Sequence, residues 1–192
     1  MKRHFIKRVL WRIVTMIKYR TMFNKIGKHT TIFHPLQLDD VTSISIGNNV
    51  CITDGAWFYG NRINDITLTI MDGTYIGHFA HIVAQHKVFI YNNVLIADRV
   101  FISDITHTYE DILTPILKQP IKNIGEVVIG EGTWIGENTC IIGAKIGKHC
   151  VIGANSVVTE DIPDYCVAVG SPAKVVKKYN FESNEWKRVD NA

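Results

Sequence analysis

Aliphatic residues return at every sixth position through most of this chain, and few architectures accept that period. The clearest triplets are Ile46, Ile52 and Phe58; Ile70, Ile76 and Ile82; Ile90, Ile96 and Ile102; and Ile129, Ile135 and Ile141. Another, Ile146, Ile152 and Val158, keeps the spacing but begins one residue short of register. Four positions after many of these residues stands a small or β-branched one: Val50, Ala56, Thr74, Ala80, Val94, Val100, Thr133, Thr139, Cys150 or Ser156. An amphipathic helix would place its apolar residues at i, i+3, i+4 and i+7, and would pay heavily for recurrent glycine. A hairpin sheet would alternate strictly over short runs joined by variable turns. Six residues per unit suit one short strand plus one corner, with three units closing a triangular coil. Each inward aliphatic residue then stacks on its equivalent in the next coil. The dipeptides Asn48-Asn49, Asp72-Gly73, Asn92-Asn93 and Glu131-Gly132 are of types that tolerate left-handed backbone, which tight corners require.

The repeat runs over residues 41–162 with one gap. Residues 1–30 read as a basic, amphipathic helical cap, 31–163 as the coil, 103–127 as a loop thrown out of it, and 164–192 as a short C-terminal helix and tail. In the first segment Phe5, Ile6, Val9, Leu10, Ile13, Val14 and Ile17 recur at helical spacing, with basic residues opposite. Such a helix can close the open end of the coil, or lie on a membrane surface, where Trp11 and the Lys/Arg content would suit it. In the last segment Phe181 and Trp186 are candidate packing anchors.

Charge is unevenly spread. Of the 21 Lys and Arg, nine fall within residues 1–38 together with no carboxylate, which leaves 12 against all 18 acidic residues in the remainder. A basic arm on an acidic body points to an anionic surface as a partner, a membrane or another polyanion. The apolar run of the N-terminal segment is broken by Lys7, Arg8, Arg12 and Lys18, unlike a secretory leader, and no stretch reaches the ~18 apolar residues of a membrane span. The four cysteines, Cys51, Cys140, Cys150 and Cys166, are far apart and form no CxxC pair. They read as reduced thiols of a cytoplasmic protein, which the basic arm could bring to the inner face of the membrane.

The gap begins Ser-Asp-Ile-Thr-His-Thr-Tyr-Glu-Asp and runs on through Pro115 and Pro120. A long loop leaving a rigid coil is a common place for function. His107 sits early in it, and a neutral imidazole can accept a proton near neutral pH. Asp104, three residues earlier, could orient the ring or an acceptor.

The period and its corners resemble the hexapeptide-repeat acyltransferases, which implies a left-handed parallel β-helix, the hand coming from the resemblance alone. Residues 96–107, Ile-Ala-Asp-Arg-Val-Phe-Ile-Ser-Asp-Ile-Thr-His, are similar to the stretch ending in the catalytic histidine of galactoside and maltose acetyltransferases. The continuation His107 to Asp111, with Pro115, Ile116 and Gln119, resembles bacterial polysaccharide O-acetyltransferases. Those carry Asp-His-x-His where this chain has Asp104-Ile105-Thr106-His107, so His107 is the general base that the resemblance implies. The block from Gly132 through Trp134 and Gly136 to Gly170-Ser171-Pro172-Ala173-Lys174 resembles the family's acyl-CoA groove. It implies Trp134 beside the thioester and acceptor, and backbone contacts from Glu137 and Ala154 to the pantetheine arm. Thr159 and Glu160 stand at the family's Thr-Lys contact, Glu160 departing from the usual Lys. Lys174 and Lys177 fall where basic residues meet the CoA phosphates. Asp104 is assigned to the acceptor. Where galactoside acetyltransferases carry an acceptor-site Asn, this chain has Val83, so the acceptor differs from a simple galactoside.

The function implied is acetyl transfer from acetyl-CoA, without a metal, to a hydroxyl of a sugar or of a polysaccharide or lipopolysaccharide precursor. No Ser or Cys stands in a nucleophile motif, so direct transfer is expected. The implied partners are that acceptor and two further copies of the chain in a homotrimer, and not nucleic acid. N-acetyl transfer to an amino-sugar nucleotide is the main alternative. A γ-class carbonic anhydrase-like metalloenzyme would use ligands spaced like His81 and His86, but His78, His81 and His86 fall within one coil, a poor arrangement for convergence. A non-catalytic scaffold would need neither the loop histidine nor the CoA block.

Overall fold

The computed structural model describes residues 9–61 and 65–189. Short parallel strands wind there into a triangular solenoid, each coil giving one strand to each of three faces. The first face runs through Lys25–Ile26, Ile44–Ile46, Leu68–Ile70, Val88–Ile90, Val127–Ile129 and Lys145–Ile146. The second runs from Thr31–Ile32 through Tyr75–Ile76, Leu95–Ile96 and Trp134–Ile135 to Val151–Ile152 and beyond. The third runs from Gln37–Asp39 through Trp57–Tyr59, His81–Val83, Phe101–Ser103 and Cys140–Ile142 to Val157–Val158.

The six-residue period becomes vertical stacking. Ile46, Ile70, Ile90, Ile129 and Ile146 are successive register partners inside the first face. Ile52, Ile76, Ile96, Ile135 and Ile152 repeat this in the second, and Phe58, Ile82, Ile102, Ile141 and Val158 in the third. None of these fifteen side chains is more than 1% exposed. Each contributes about 1.5–3 kcal/mol by leaving water. The polar residues among the small inward set have partners: Thr74 Oγ1 donates to the Tyr91 carbonyl at 3.0 Å and Thr133 Oγ1 to that of Gly147 at 2.8 Å. At the corners Asn49, Gly73, Asn93 and Gly132 have φ of 55°, 72°, 56° and 68°. Gly47 is needed for closeness, since a Cβ there would lie 2.8 Å from the Asp72 main-chain nitrogen.

The coil starts earlier than residue 31. Ile26, Ile32 and Leu38 already carry the six-residue spacing, and Lys25–Ile26 pairs with Ser45 and Ile46. The helical segment ahead of it is α-helical over residues 9–14 and continues as a π-helix, Thr15–Tyr19. Its inner side, Thr15 and Tyr19, is buried with Phe23, and Thr15 Oγ1 accepts from the Ile32 N–H at 2.9 Å. The helix therefore closes the open end of the coil. The expected contributions of Phe5 and Ile6 lie outside the described residues.

The C-terminal helix expected over 164–192 is absent from the described part of that segment. Cys166–Gly170 joins the second face, and Ala173–Asn180 and Glu185–Arg188 extend it as antiparallel strands. Trp186 packs across strands, its ring edge-on to that of its register partner Tyr179 at 5.5 Å, while Phe181 stands exposed in the turn between the strands, edge-on to Tyr179 at 5.0 Å. Cross-strand ring packing, rather than a helical stripe, is what Trp186 encodes.

The gap is also ordered differently from a plain loop. Ser103 and Val127 belong to coil strands, so the insertion is 104–126, and its root is a hairpin of Ile105–His107 against Ile121–Asn123.

Candidate active site

His107 ends the outgoing strand of that hairpin, opposite Ile121, with its side chain exposed. Thr108 closes the paired segment by donating to the Pro120 carbonyl from both its N–H, at 3.1 Å, and its Oγ1, at 2.7 Å. The insertion leaves the corner between the third and first faces.

Asp104 takes a different place from the one its spacing implied. It is 0% exposed. Its Oδ1 accepts from the Gln85 N–H at 3.0 Å, and its Oδ2 from those of His86 and Lys87, both at 2.7 Å. A carboxylate enclosed by three main-chain donors does not reach an acceptor hydroxyl. The expected substrate contact is corrected on that ground.

Trp134 lies outward on the second face, 49% exposed beside the buried Ile135. The outer register continues from Trp134 to Val151, to Val167 and to Lys177. Three strand spacings separate Trp134 from Lys177, about 14 Å. Lys174 and Lys177 are three apart, which in a regular strand points them to opposite sides. A bulge opposite Val167/Ala168 changes this: Lys174 pairs with Val169 and Lys177 with Val167, the two outward neighbours of the buried Ala168. Directly opposed residues share a face, so both lysines point outward. The column thus has an aromatic ring at one end and two cations at the other, which fits an extended arm between a thioester and nucleotide phosphates.

Glu137 and Ala154 sit on consecutive coils at the corner between the second and third faces, where Asn138 Nδ2 donates to Asn155 Oδ1 at 3.2 Å. The Glu137 carboxylate is ion-paired with Arg99, and its main-chain carbonyl accepts from the Asn155 N–H at 2.9 Å. Arg99 carries no motif signal in the sequence; it occupies a left-handed corner position, φ 55°, as Phe79 does one coil earlier and Asn138 and Asn155 in the coils that follow. Thr159 and Glu160 are exposed at the other side of the third face, and Glu160 pairs with Lys174 at 3.1 Å. The site residues thus divide. Trp134, Lys174 and Lys177 share the second face, whereas His107 projects from the corner opposite it.

The three clustered histidines do not converge. His78 Nδ1 meets Asp98 at 3.2 Å, the His81 ring stacks on Trp57 at 4.0 Å, and the His86 N–H serves Asp104. Burial lowers the pKa of His81 below its ordinary value. Among the described residues no group of three or more His, Cys, Asp or Glu is placed to hold a metal ion.

A family model described as the hexapeptide repeat of succinyl-transferase matches residues 126–160. "Putative lipopolysaccharide biosynthesis O-acetyl transferase WbbJ" of Escherichia coli K12 is 31% identical, covering 96% of this chain and 93% of that protein. The galactoside O-acetyltransferase of the same organism is 33% identical over 87% of this chain and 70% of its own length. The chain belongs to the hexapeptide-repeat acyltransferase family. Among solved structures, AntD, an N-acyltransferase from Bacillus cereus in complex with dTDP and 3-hydroxybutyryl-CoA, matches with a TM-score of 0.71 at 22% identity. That match covers 85% of this chain and 87% of AntD, and is a likeness of fold.

Proposed function

We propose that this protein transfers an acetyl group from acetyl-CoA to a hydroxyl of a sugar in a polysaccharide or lipopolysaccharide precursor. The observation that carries this reading is the likeness, along nearly the whole chain, to the Escherichia coli O-acetyl transferase. Trp134 packs beside the thioester, and Glu137, Ala154 and Thr159 hold the pantetheine arm through main-chain groups. Lys174 and Lys177 meet the phosphates. The Lys174–Glu160 pair is exposed, so it contributes no more than about 1 kcal/mol and gives way to a phosphate at little cost. His107 takes the proton of the acceptor hydroxyl as the oxygen attacks the thioester carbonyl. A main-chain N–H steadies the tetrahedral oxyanion. The carbon–sulfur bond then breaks, and the imidazolium returns its proton to the departing thiolate.

One chain does not close this site, because His107 stands at the corner opposite the Trp134–Lys177 column. On this reading a second copy of the chain supplies the missing half, in the homotrimer that the resemblance implies. The insertion tip supports this, with Ile112, Leu113 and Leu117 about nine-tenths exposed in the single chain. A monomer mass by light scattering, with full activity, would overturn it.

The N-terminal helix adds an association with anionic membrane surfaces. Its inner side caps the coil, while Leu10, Ile13 and Ile17 are exposed outside, with Lys18 and Arg20 beside them. No helix among the described residues is long and apolar enough to cross a membrane. Deleting residues 1–20 should abolish salt-sensitive sedimentation with vesicles containing phosphatidylglycerol.

The test of the activity is thiol release from acetyl-CoA across a panel of sugars and amino-sugar nucleotides. Turnover with hydroxyl acceptors is expected. Faster turnover with an amine would move the assignment to N-acetyl transfer, and no release with any acceptor would remove it.

A further inference from the structure

We propose that Asp104 is a positioning residue, which sets the root of the insertion and thereby the place of His107. This rests on His107 as the base.

Three consecutive N–H groups, from Gln85, His86 and Lys87, end on the Asp104 carboxylate at 2.7–3.0 Å. Only an acceptor-only group with two oxygens can receive all three; an Asn at this place has one oxygen and two hydrogens. The main-chain carbonyl of Asp104 accepts from the N–H of Ile124, the residue that follows the returning strand, at 3.0 Å. One residue therefore ties the outgoing strand to the preceding coil by its side chain and to the returning strand by its backbone.

Lys87 fastens the other end. Its carbonyl accepts from the Val127 N–H at 3.0 Å, and its Nζ meets Glu126 at 2.8 Å. The same corner continues downward, with Gln85 Nε2 donating to the Gly60 carbonyl at 2.5 Å and Asn61 Nδ2 to the Gln85 carbonyl at 2.8 Å. Asn61 in turn donates its N–H to Ser43 Oγ at 2.9 Å. The root of the insertion is thus the end of a hydrogen-bonded column through the coils below. His107 stands three residues out, a lever of about 10 Å, so a tilt of a few degrees at the root moves the imidazole by a sizeable fraction of an ångström. Displacement by about 1 Å can cost a reaction a hundredfold.

The experiment compares Asp104→Asn, Asp104→Ala, Glu126→Gln and His107→Ala in the full chain, alone and as Asp104→Asn with His107→Ala. Thiol release is followed with acetyl-CoA and the best sugar of the panel. Asp104→Asn should lower kcat by roughly ten- to a hundredfold, with KM for acetyl-CoA within about twofold and the pH–rate profile in place, because the base is unchanged. Hydrogen exchange should quicken in residues 84–87 and 104–124 and stay slow in the coils. Asp104→Ala should follow the same pattern more strongly, and Glu126→Gln, an exposed partner, should change kcat less than about twofold. In the His107→Ala background Asp104→Asn should have no further effect on kcat. An added loss there, or a wild-type kcat in Asp104→Asn with only a lower melting temperature, would overturn the positioning role alone. Full turnover in His107→Ala would instead overturn the base on which it rests.

Discussion

The coils on either side of Ser103 hold together by repetition, whereas the insertion that follows it is held at its root and little beyond. Along the three faces each inward residue of the middle coils has an equivalent above and below it, and loss of one contact is shared by neighbours. Outward of the Thr108–Pro120 hydrogen bonds that support ends. The hairpin has three paired positions, and its tip exposes Ile112 by 92% and Leu117 by 89%. The difference separates two tasks: the coil supplies a rigid frame, and the insertion carries His107, the proposed base, away from it. Stability and turnover should therefore respond to different residues.

The largest effect expected is on turnover from the insertion. His107→Ala should lower kcat by roughly 10²–10⁴, the usual contribution of a positioned general base. Melting temperature and acetyl-CoA affinity should stay near wild type, because the side chain lies outside the stacked core. His107→Asn should be similarly impaired, since an amide can hold a hydrogen bond to the hydroxyl without taking its proton. Near wild-type kcat for either variant, at saturating acceptor, would move the search to the other histidines.

The converse change belongs to the coil. Ile102 is fully buried between Ile82 and Ile141, and Ile102→Ala should cost about 2–5 kcal/mol in urea unfolding. Ile112→Ala in the insertion should stay within about 0.5 kcal/mol when the dissociated single chain is unfolded. Equal losses at both positions would mean that the tip is part of the cooperative core of the single chain.

What the sequence made legible follows the same division. Stacked coils repeat a chemical environment every six residues, so Ile46 through Val158 announce their own register. The first coil was equally legible in Ile26, Ile32 and Leu38, but the helical spacing just upstream drew the boundary past it. The C-terminal strands were not legible, because antiparallel pairing has no six-residue period and two spaced aromatics fit a helix as well. Of the proposed site, His107, Trp134 and the lysines rest on resemblance, and the bulge that turns Lys177 to the side of Lys174 has no signature in residue type. Asp104 was misread because its partners are main-chain N–H groups of the preceding coil, which no side-chain pattern reports.

Corners offer an intermediate test, since they are local but serve the coil. Asn93 has φ of 56°. Asn93→Val should cost about 1–2 kcal/mol through left-handed strain, while Asn93→Gly should lie within a few tenths. Chemical unfolding of the two variants decides it, and a Val variant as stable as the Gly one would remove corner strain from the account.

The smallest effect concerns His81, which lies in the third face between Trp57 and Phe101, 4.0 and 5.2 Å from their rings. Burial lowers its pKa below the ordinary value near 6.5. As pH falls through about 6.5 the unfolded chain takes up this proton first, while the folded chain resists it. The unfolded state then binds more protons, so stability declines with falling pH from about 6.5 until the lowered folded value is passed. Above 6.5 both states are neutral and His81 adds no pH dependence. His81→Gln removes the titration and keeps a planar polar group, so its melting temperature should fall less than that of wild type between pH 7.5 and 5.5. The partly exposed ring makes the difference small beside the other three. Thermal melts of the two proteins across that range give the answer: parallel pH slopes would mean that the face around Trp57 opens enough to let the imidazole charge as freely as in water.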